Sequence, residues 1–284
     1  MTTDPTAQDA PADAAAPTPA PPIVEVRGLR ARYGERWVLK GVDLAVQPGE
    51  IRAIMGGSGS GKTTLLRHLL GLARPESGSV RIFGKEIHHL NARDLYALRR
   101  RMGVAFQGGA LMSSMTVSEN LMFPLVEHTT LDRATMEIMV RMKLEAVNLS
   151  HAGHLLPSEL SGGMLKRAAM ARAMIMDPPL LFCDEPSAGL DPMVASQLDD
   201  LLLQWREVWG VTIIVVTHEL ASVFKIADRV TILDQGEILF TGTLEEMRAS
   251  PLVRVQNLLH RRTEEKPQDP AAYLHRLTSG WGQS

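Results

Sequence analysis

Eight consecutive residues have the types and the spacing of a loop that binds phosphate. Gly56, Gly57, Ser58, Gly59, Ser60, Gly61, Lys62 and Thr63 match G-x-x-x-x-G-K-[ST] at every fixed position. Glycines let successive backbone N–H groups curve around an anion, a lysine reaches the β- and γ-phosphates, and a threonine hydroxyl ligates Mg²⁺. The sequence therefore predicts a site for a nucleoside triphosphate and Mg²⁺, with Thr64 as a further residue of the binding set.

A pair of acidic residues, Asp184 and Glu185, directly follows the apolar run at residues 180–183. At the carboxyl end of a strand beside a phosphate loop, Asp184 is placed to hold Mg²⁺, directly or through water. Glu185 is then placed to polarise an attacking water as a general base. The pair predicts hydrolysis of the bound nucleotide.

A second helix start, at Ser161-Gly162-Gly163, also has the properties of a phosphate site. Ser161 can cap the helical run at residues 165–176, and the two glycines leave the backbone open to close approach. One γ-phosphate does not need two such helix ends from one chain. We therefore expect a head-to-tail dimer, in which this motif completes the nucleotide site of the partner subunit.

The elements around these motifs alternate between strands and helices. An apolar strand at residues 51–55 precedes the phosphate loop, and a helix at residues 64–70 follows it and stops at Gly71. Residues 116–173 have mainly helical periodicity. Further strands are predicted at residues 23–26, 42–46, 79–83, 103–106, 180–183, 212–216 and 230–233. This order predicts an α/β core with a helical insertion.

Composition excludes several other classes of protein. The 284 residues carry a net charge of −2, so no basic field indicates nucleic acid as a partner. No apolar run approaches the ~20 residues that span a bilayer. The single cysteine, Cys183, cannot form an intramolecular disulfide, which is typical of a reducing compartment. Residues 1–22, rich in Ala and Pro, predict a disordered leader and not a signal peptide.

Together the motifs resemble those of the ATP-binding cassette (ABC) ATPases, in the order of that family, over residues 23–242. The resemblance implies a P-loop NTPase fold, with an antiparallel β subdomain, a RecA-like core and a helical subdomain at about residues 108–173. It places the ATPase domain at residues 23–249 and a C-terminal extension at residues 250–284.

The same resemblance implies further site residues for ATP and Mg²⁺. Gln107 matches the glutamine that senses Mg²⁺ and the transmembrane partner. His218 matches the switch histidine that contacts the γ-phosphate, and Tyr33 matches the aromatic residue that stacks on adenine. Residues 188–191, which end in Asp191, resemble the D-loop.

One departure from the family pattern is Met164, where most cassettes have glutamine. With residues 106–111, 120–125, 127–131 and 251–259, it makes the chain similar to the ATPases of Mla/Mce-type phospholipid transporters. That resemblance implies a homodimer of cassettes on the cytoplasmic face of the inner membrane. It also implies multi-span permease subunits, a Mce-domain lipid-binding subunit and a small accessory subunit as partners.

Two other function classes stay open as alternatives. An importer ATPase for small solutes, such as amino acids, would have the same motifs, although only some 40 residues follow Gly242, too few for most regulatory domains. A soluble ABC ATPase of translation would carry two cassettes in one chain. One of DNA maintenance would carry a long coiled coil between the phosphate loop and the family's signature motif, which Ser161-Gly162-Gly163 match, and only about 100 residues lie between the two here.

The C-terminal extension is predicted to begin with a short helix. Ser250 would cap it, Pro251 would occupy its first turn, and Leu252, Val255 and Leu259 would form one apolar stripe. A helix of about ten residues is not stable alone in water, so the stripe must pack on something. It packs either on its own cassette or on a neighbouring subunit, with a second contact from Tyr273, Leu274 and Leu277.

Overall fold

The computed structural model describes residues 21–260. Most of the predicted leader, and Tyr273, Leu274 and Leu277 of the extension, lie outside the described residues. Within residues 21–260 the chain forms strands β1 (Val24–Tyr33), β2 (Arg36–Val46), β3 (Ile51–Met55), β4 (Ser77–Ile82), β5 (Lys85–Glu86), β6 (Met102–Ala105), β7 (Leu180–Asp184), β8 (Thr212–Val216), β9 (Arg229–Asp234) and β10 (Glu237–Thr243). The helices are α1 (Lys62–Leu69), α2 (Ala92–Arg99), α3 (Val117–His128), α4 (Arg133–Ala146), α5 (Gly162–Ala173), α6 (Pro192–Trp209), α7 (Leu220–Ile226), α8 (Leu244–Arg248) and α9 (Val253–Leu259).

The central sheet has six strands in the order β10-β9-β3-β8-β7-β6. Its strands run parallel, apart from β10, which pairs antiparallel with β9 at one edge. Every residue of β3 and β8 is buried, as parallel strands covered on both faces require, and the one charged residue of these two strands, Arg52, pairs with Glu50 at 2.5 Å. The parallel register brings the carboxyl ends of β3, β8, β7 and β6 to one edge, where the predicted site residues lie.

A second, antiparallel sheet has the order β2-β1-β4-β5. Strands β1 and β2 are much longer than the sequence predicts, because they continue as a hairpin up to the pair Tyr33 and Arg36. Charged side chains interrupt the apolar pattern there. The buried residues Leu29, Ala31 and Leu39 nevertheless keep one face of the hairpin on the core.

Between β6 and β7 the chain forms three α-helices, α3, α4 and α5, as the helical periodicity predicts. Thr116 and Glu119 form a capping box that fixes the start of α3. The helices α3 and α4 share a hydrophobic cluster with the α/β core, and its buried side chains include Leu121, Leu125 and Leu144. This packing joins the helical insertion to the α/β core.

The C-terminal helix differs from its sequence prediction. The helix α9 begins at Val253, its cap is Leu252, and the Ser250 hydroxyl caps no helix. Leu252 is exposed and not part of a stripe. Val255 is fully buried among residues of α7, α8 and the central sheet, so α9 packs on its own cassette. Within residues 21–260, none of the helices has the length and apolar character needed to cross a membrane.

Candidate nucleotide site

The loop between β3 and α1 leaves a helix N-terminus open for an anion. Gly61 caps α1 in a left-handed conformation with φ 110°, and no side chain accepts a hydrogen bond from the first-turn amides. Those N–H groups have no partner within the helix, and the helix dipole adds positive potential there. The geometry fits a phosphate group.

Two features of the loop suit close contact with a ligand. A Cβ at position 56 would lie 2.2 Å from the carbonyl oxygen of Leu233, so only glycine fits there. At Gly57 and Gly59 a Cβ would meet open space, and Gly59 has φ +75°. The buried hydroxyl of Ser60 has no hydrogen-bond partner among the described residues. An open backbone and an unpartnered hydroxyl are what a phosphate-binding loop offers a ligand.

The Lys62 side chain folds back onto this loop. Its Nζ donates hydrogen bonds to the carbonyl oxygens of Gly56 at 2.7 Å and Gly57 at 3.0 Å. Burial lowers the pKa of Lys62, and the charges of Glu185 and Asp184 act in the opposite direction. The ammonium therefore donates to the loop and is attracted by the negative charge of the two acids.

Glu185 is held at the end of β7 by residues that follow β8. Its carboxylate accepts a hydrogen bond from Nδ1 of His218 at 2.8 Å and one from the Thr217 hydroxyl at 3.3 Å. The structure thus brings together the two predicted residues Glu185 and His218. The sequence analysis missed Thr217, although its position beside His218 at the end of an apolar strand was a usable signal.

Asp184, the last residue of β7, lies between opposite charges. Burial, and next the charge of Glu185, raise the pKa of Asp184, while Lys62 and Lys166 act to lower it. Gln107 is exposed two residues beyond β6, the strand next to β7, with Ala105 in register with Cys183. The donor set of the predicted metal site, Thr63, Gln107 and Asp184, consists of oxygen ligands, which suit Mg²⁺. Its assembly around a metal stays a prediction.

Tyr33 lies at the wall of an open cavity beside the phosphate loop. The cavity has a volume of about 680 Å³ and is also lined by Ser58, Gly59 and Thr64. Tyr33 is 54% exposed, as a residue that stacks on a base must be. Trp37 lines the same cavity from the paired strand β2, and the sequence analysis missed it. A second aromatic residue four positions after Tyr33 was the available signal.

The helix start at residues 161–163 lies against the segment that follows Glu185. Ser161 caps α5, and its hydroxyl accepts from the Met164 N–H at 3.3 Å. A Cβ at Gly162 would lie 3.6 Å from Leu190, and one at Gly163 would lie 2.7 Å from Val194.

Asp191 caps α6 by accepting from two backbone N–H groups, at 3.0 and 3.1 Å. Among residues 21–260, no hydrogen bond or ion pair joins residues 161–163 to the phosphate loop of the same chain.

Comparisons with known proteins show the family to which the chain belongs. Residues 39–188 match the ABC transporter family. The chain is 42% identical to the intermembrane phospholipid transport system ATP-binding protein MlaF of Haemophilus influenzae, over 84% of this chain and 90% of that protein. It is 41% identical to MlaF of Escherichia coli, over 84% and 88%. It is also 38% identical to a probable ribonucleotide transport ATP-binding protein, mkl, of Mycobacterium leprae, over 81% and 67%.

Solved structures give the same answer for the fold. A dimeric ATP-binding cassette, MJ0796, in a post-hydrolysis state bound to ADP and Pi superposes with a TM-score of 0.73 at 30% identity, over 78% of this chain and 98% of that chain. The structure of cbiO1 from Clostridium perfringens, part of the transporter complex cbiONQ, superposes with a TM-score of 0.75 at 29% identity, over 90% and 100%. The predicted fold class and ATPase chemistry are confirmed, and the chain belongs to the ABC transporter family of ATP-binding cassettes.

Proposed function

We propose that this chain is the ATP-hydrolysing subunit of a membrane transporter that moves phospholipids between the inner and outer membranes. The identity of 41–42% to two MlaF proteins, over 84% of this chain, carries the proposal. The cassette would work on the cytoplasmic face of the inner membrane, bound to multi-span permease subunits. A Mce-domain lipid-binding subunit and a small accessory subunit are the further partners.

ATP binding would use the open helix start and the cavity beside it. The backbone N–H groups from Gly57 to Thr63 would surround the β- and γ-phosphates. Lys62 would exchange its two backbone carbonyls for phosphate oxygens, since its Nζ already lies in the loop. Tyr33 would stack on the adenine, with Trp37 at the edge of the same cavity.

Hydrolysis would use the acids at the end of β7. Glu185 would orient the attacking water and accept its proton, with His218 and Thr217 fixing the carboxylate. Thr63, Gln107 and Asp184 would hold Mg²⁺. Bound Mg²⁺ supplies charge neutralisation at the β- and γ-phosphates. His218 would also contact the γ-phosphate, because its ring is largely exposed beside Glu185.

The active unit would be a dimer with two composite sites. Ser161, Gly162 and Gly163 of one subunit would face the phosphates bound by Lys62 of the other. The start of α5 at Gly162 and Gly163, with Ser161 as its cap, and its position beside Leu190 and Val194 of its own chain support this arrangement. Asp191 would lie at the dimer interface with the signature.

A transport assay on the whole complex tests the proposal. The chain is purified with its partner subunits, and mass spectrometry identifies the chains and lipids that copurify. Reconstituted into vesicles, the complex should move labelled phospholipid only with ATP, and a complex carrying Glu185→Gln should move none. Copurification with a solute-binding protein, and ATPase stimulation by an amino acid or a ribonucleotide but not by lipid, would favour a small-solute importer instead.

A further inference from the structure

Lys166 contacts the backbone of the proposed catalytic base from another helix. It lies one turn into α5, is half-buried, and its Nζ donates a hydrogen bond to the carbonyl oxygen of Glu185 at 2.8 Å. The contact joins residues 19 positions apart. The proposed hydrolysis gives Lys166 no role.

Glu185 has a backbone conformation that needs support. Its φ is +48°, in the left-handed region that non-glycine residues rarely adopt. Its N–H donates to the carbonyl of Val216 at 2.8 Å, and its own carbonyl accepts from Ala188 at 3.3 Å. Lys166 adds a second and shorter hydrogen bond to that carbonyl. The direction in which the Glu185 carboxylate points therefore depends on a backbone conformation that the hydrogen bond from α5 stabilises.

Two opposing effects act on the pKa of the Lys166 ammonium group. Burial lowers the pKa of Lys166, and attraction to Glu185 and Asp184 acts against that effect. Lys62, the other cation near these acids, would turn to the phosphates when ATP binds. Lys166 would then be the cation that stays with the Glu185 backbone.

The same helix begins at the signature. Helix α5 starts at Gly162, with Ser161 as its cap, and Lys166 follows within its first five residues. We propose that Lys166 is a positioning residue that couples the signature helix to Glu185 of the same chain. When the signature of one chain contacts the nucleotide in one composite site, α5 would thereby orient Glu185 of the same chain, which is the base of the other site. The coupling between sites rests on the dimer put forward under Proposed function.

The test measures ATP hydrolysis by the purified transporter complex, without any transport readout. Lys166→Met removes the donor and keeps an apolar stem, whereas Lys166→Arg keeps a cationic donor. Lys225→Met is the matched control, because the Lys225 Nζ also donates to a backbone carbonyl, that of Ser196 at 2.8 Å, on a different helix. We expect Lys166→Met to lower kcat by ~10–100-fold, since small errors in the position of a catalytic group have effects of this size.

The remaining readouts separate positioning from folding and binding. In Lys166→Met the Kd for ATP should stay within about twofold, the Hill coefficient for ATP should fall towards about 1, and Lys166→Arg should recover most of kcat. Parental kcat in Lys166→Met, an equal loss in Lys225→Met, or no recovery in Lys166→Arg would each overturn the positioning role. An unchanged Hill coefficient would overturn the coupling between sites. Because lipid is not part of the assay, failure of the phospholipid proposal leaves these outcomes interpretable.

Discussion

Glu185 receives hydrogen bonds at both its side chain and its backbone. His218 and Thr217 donate to the carboxylate, and Lys166 donates to the carbonyl oxygen. A general base works when it is held within hydrogen-bond reach of the proton that it accepts. We therefore expect the residues around Glu185 to act mainly on its orientation. Substitutions there should lower the rate of hydrolysis, whereas substitutions in the phosphate loop should weaken phosphate binding.

The first prediction concerns this carboxylate. Glu185→Gln keeps the shape of the side chain and removes the base, so turnover should fall by ~10²–10⁴-fold while ATP still binds. Steady-state ATPase rates and an ATP-binding titration on the purified complex measure the two effects. Lys62→Ala is the contrasting variant and should lose productive phosphate binding. Near-normal turnover by Glu185→Gln would remove the base from the proposed mechanism.

A second residue, Asp199 of α6, should make stability depend on pH. It is 4% exposed, and burial raises its pKa to about 6 from 3.8. Ser222 and Lys225 of α7 act to lower this pKa, and Asp200 on its own helix acts to raise it. Between pH 3.8 and about 6 the folded chain binds more protons than the unfolded chain. The free energy of unfolding should therefore decrease as pH rises through this window and stay level above it.

Asp199→Asn tests this assignment because it removes the charge and keeps a hydrogen-bonding amide for Ser222. At pH 8 the variant should be more stable than the parent, on the order of 2 kcal/mol, and the difference should shrink towards pH 4. Urea unfolding at several pH values measures it. Equal stability of parent and variant at pH 8 would show that Asp199 ionises without penalty.

At the scale of elements, α3 has one face in the core and one exposed. Leu125 is fully buried, whereas Phe123 is 37% exposed. Both residues belong to α3, the first helix after β6. A permease helix can contact only the exposed face of α3. Leu125 therefore packs in the core, and Phe123 is available to a partner.

The third prediction separates these roles. Leu125→Ala should destabilise the isolated subunit by about 2–5 kcal/mol, because it leaves a cavity in the core. Phe123→Ala should change its stability by less than about 1 kcal/mol and should weaken stimulation of the ATPase by permease subunits. Thermal unfolding and ATPase assays with and without permease measure both. Unchanged stimulation in Phe123→Ala would remove this residue from the interface.

The sequence predicts the elements that a local pattern determines and misses those that depend on contacts between distant segments. The strands β3, β7 and β8 are mainly apolar, and the phosphate loop between β3 and α1 has fixed spacing, so the strands and the loop were predicted. The length of the β1–β2 hairpin was not, because alternating charged residues hide a face that is buried only after the two strands pair. The cap of α9 was misassigned to Ser250, since tertiary packing of Val255 decides where that helix sits. Contacts such as Lys166 to Glu185 join distant segments and leave no local pattern.

At the scale of the whole molecule, a fourth experiment tests whether the starts of α1 and α5 from two different subunits form one nucleotide site. One subunit carries Lys62→Ala and the other carries Ser161→Arg, so that in the mixed dimer both changes fall in one composite site. If the sites act independently, the intact site should restore partial hydrolysis, up to about half of the parental rate, as expected for one site of two. If each site needs the other, as the coupling through Lys166 implies, hydrolysis should not return. Each variant alone should be inactive. A structure of the dimer with Ser161 beside Lys62 of its own chain would contradict the composite arrangement.

The last prediction concerns what lies beyond α9. Because Val255 is fully buried on its own cassette, α9 itself is committed to the fold of one subunit. A contact of the C-terminal extension with the neighbouring subunit is then left to the exposed side of α9, which carries Leu252 and Val253, and to residues 261–284. We therefore expect deletion of residues 261–284 to leave folding and ATP binding intact, and to weaken dimer formation and assembly of the transporter complex.

Val255→Ala is the opposite control, which should lower stability by about 2 kcal/mol without altering assembly of the folded fraction. Calorimetry and size-exclusion chromatography measure the two properties. Unchanged assembly and ATPase rate after the deletion would show that the extension does not hold the subunits together.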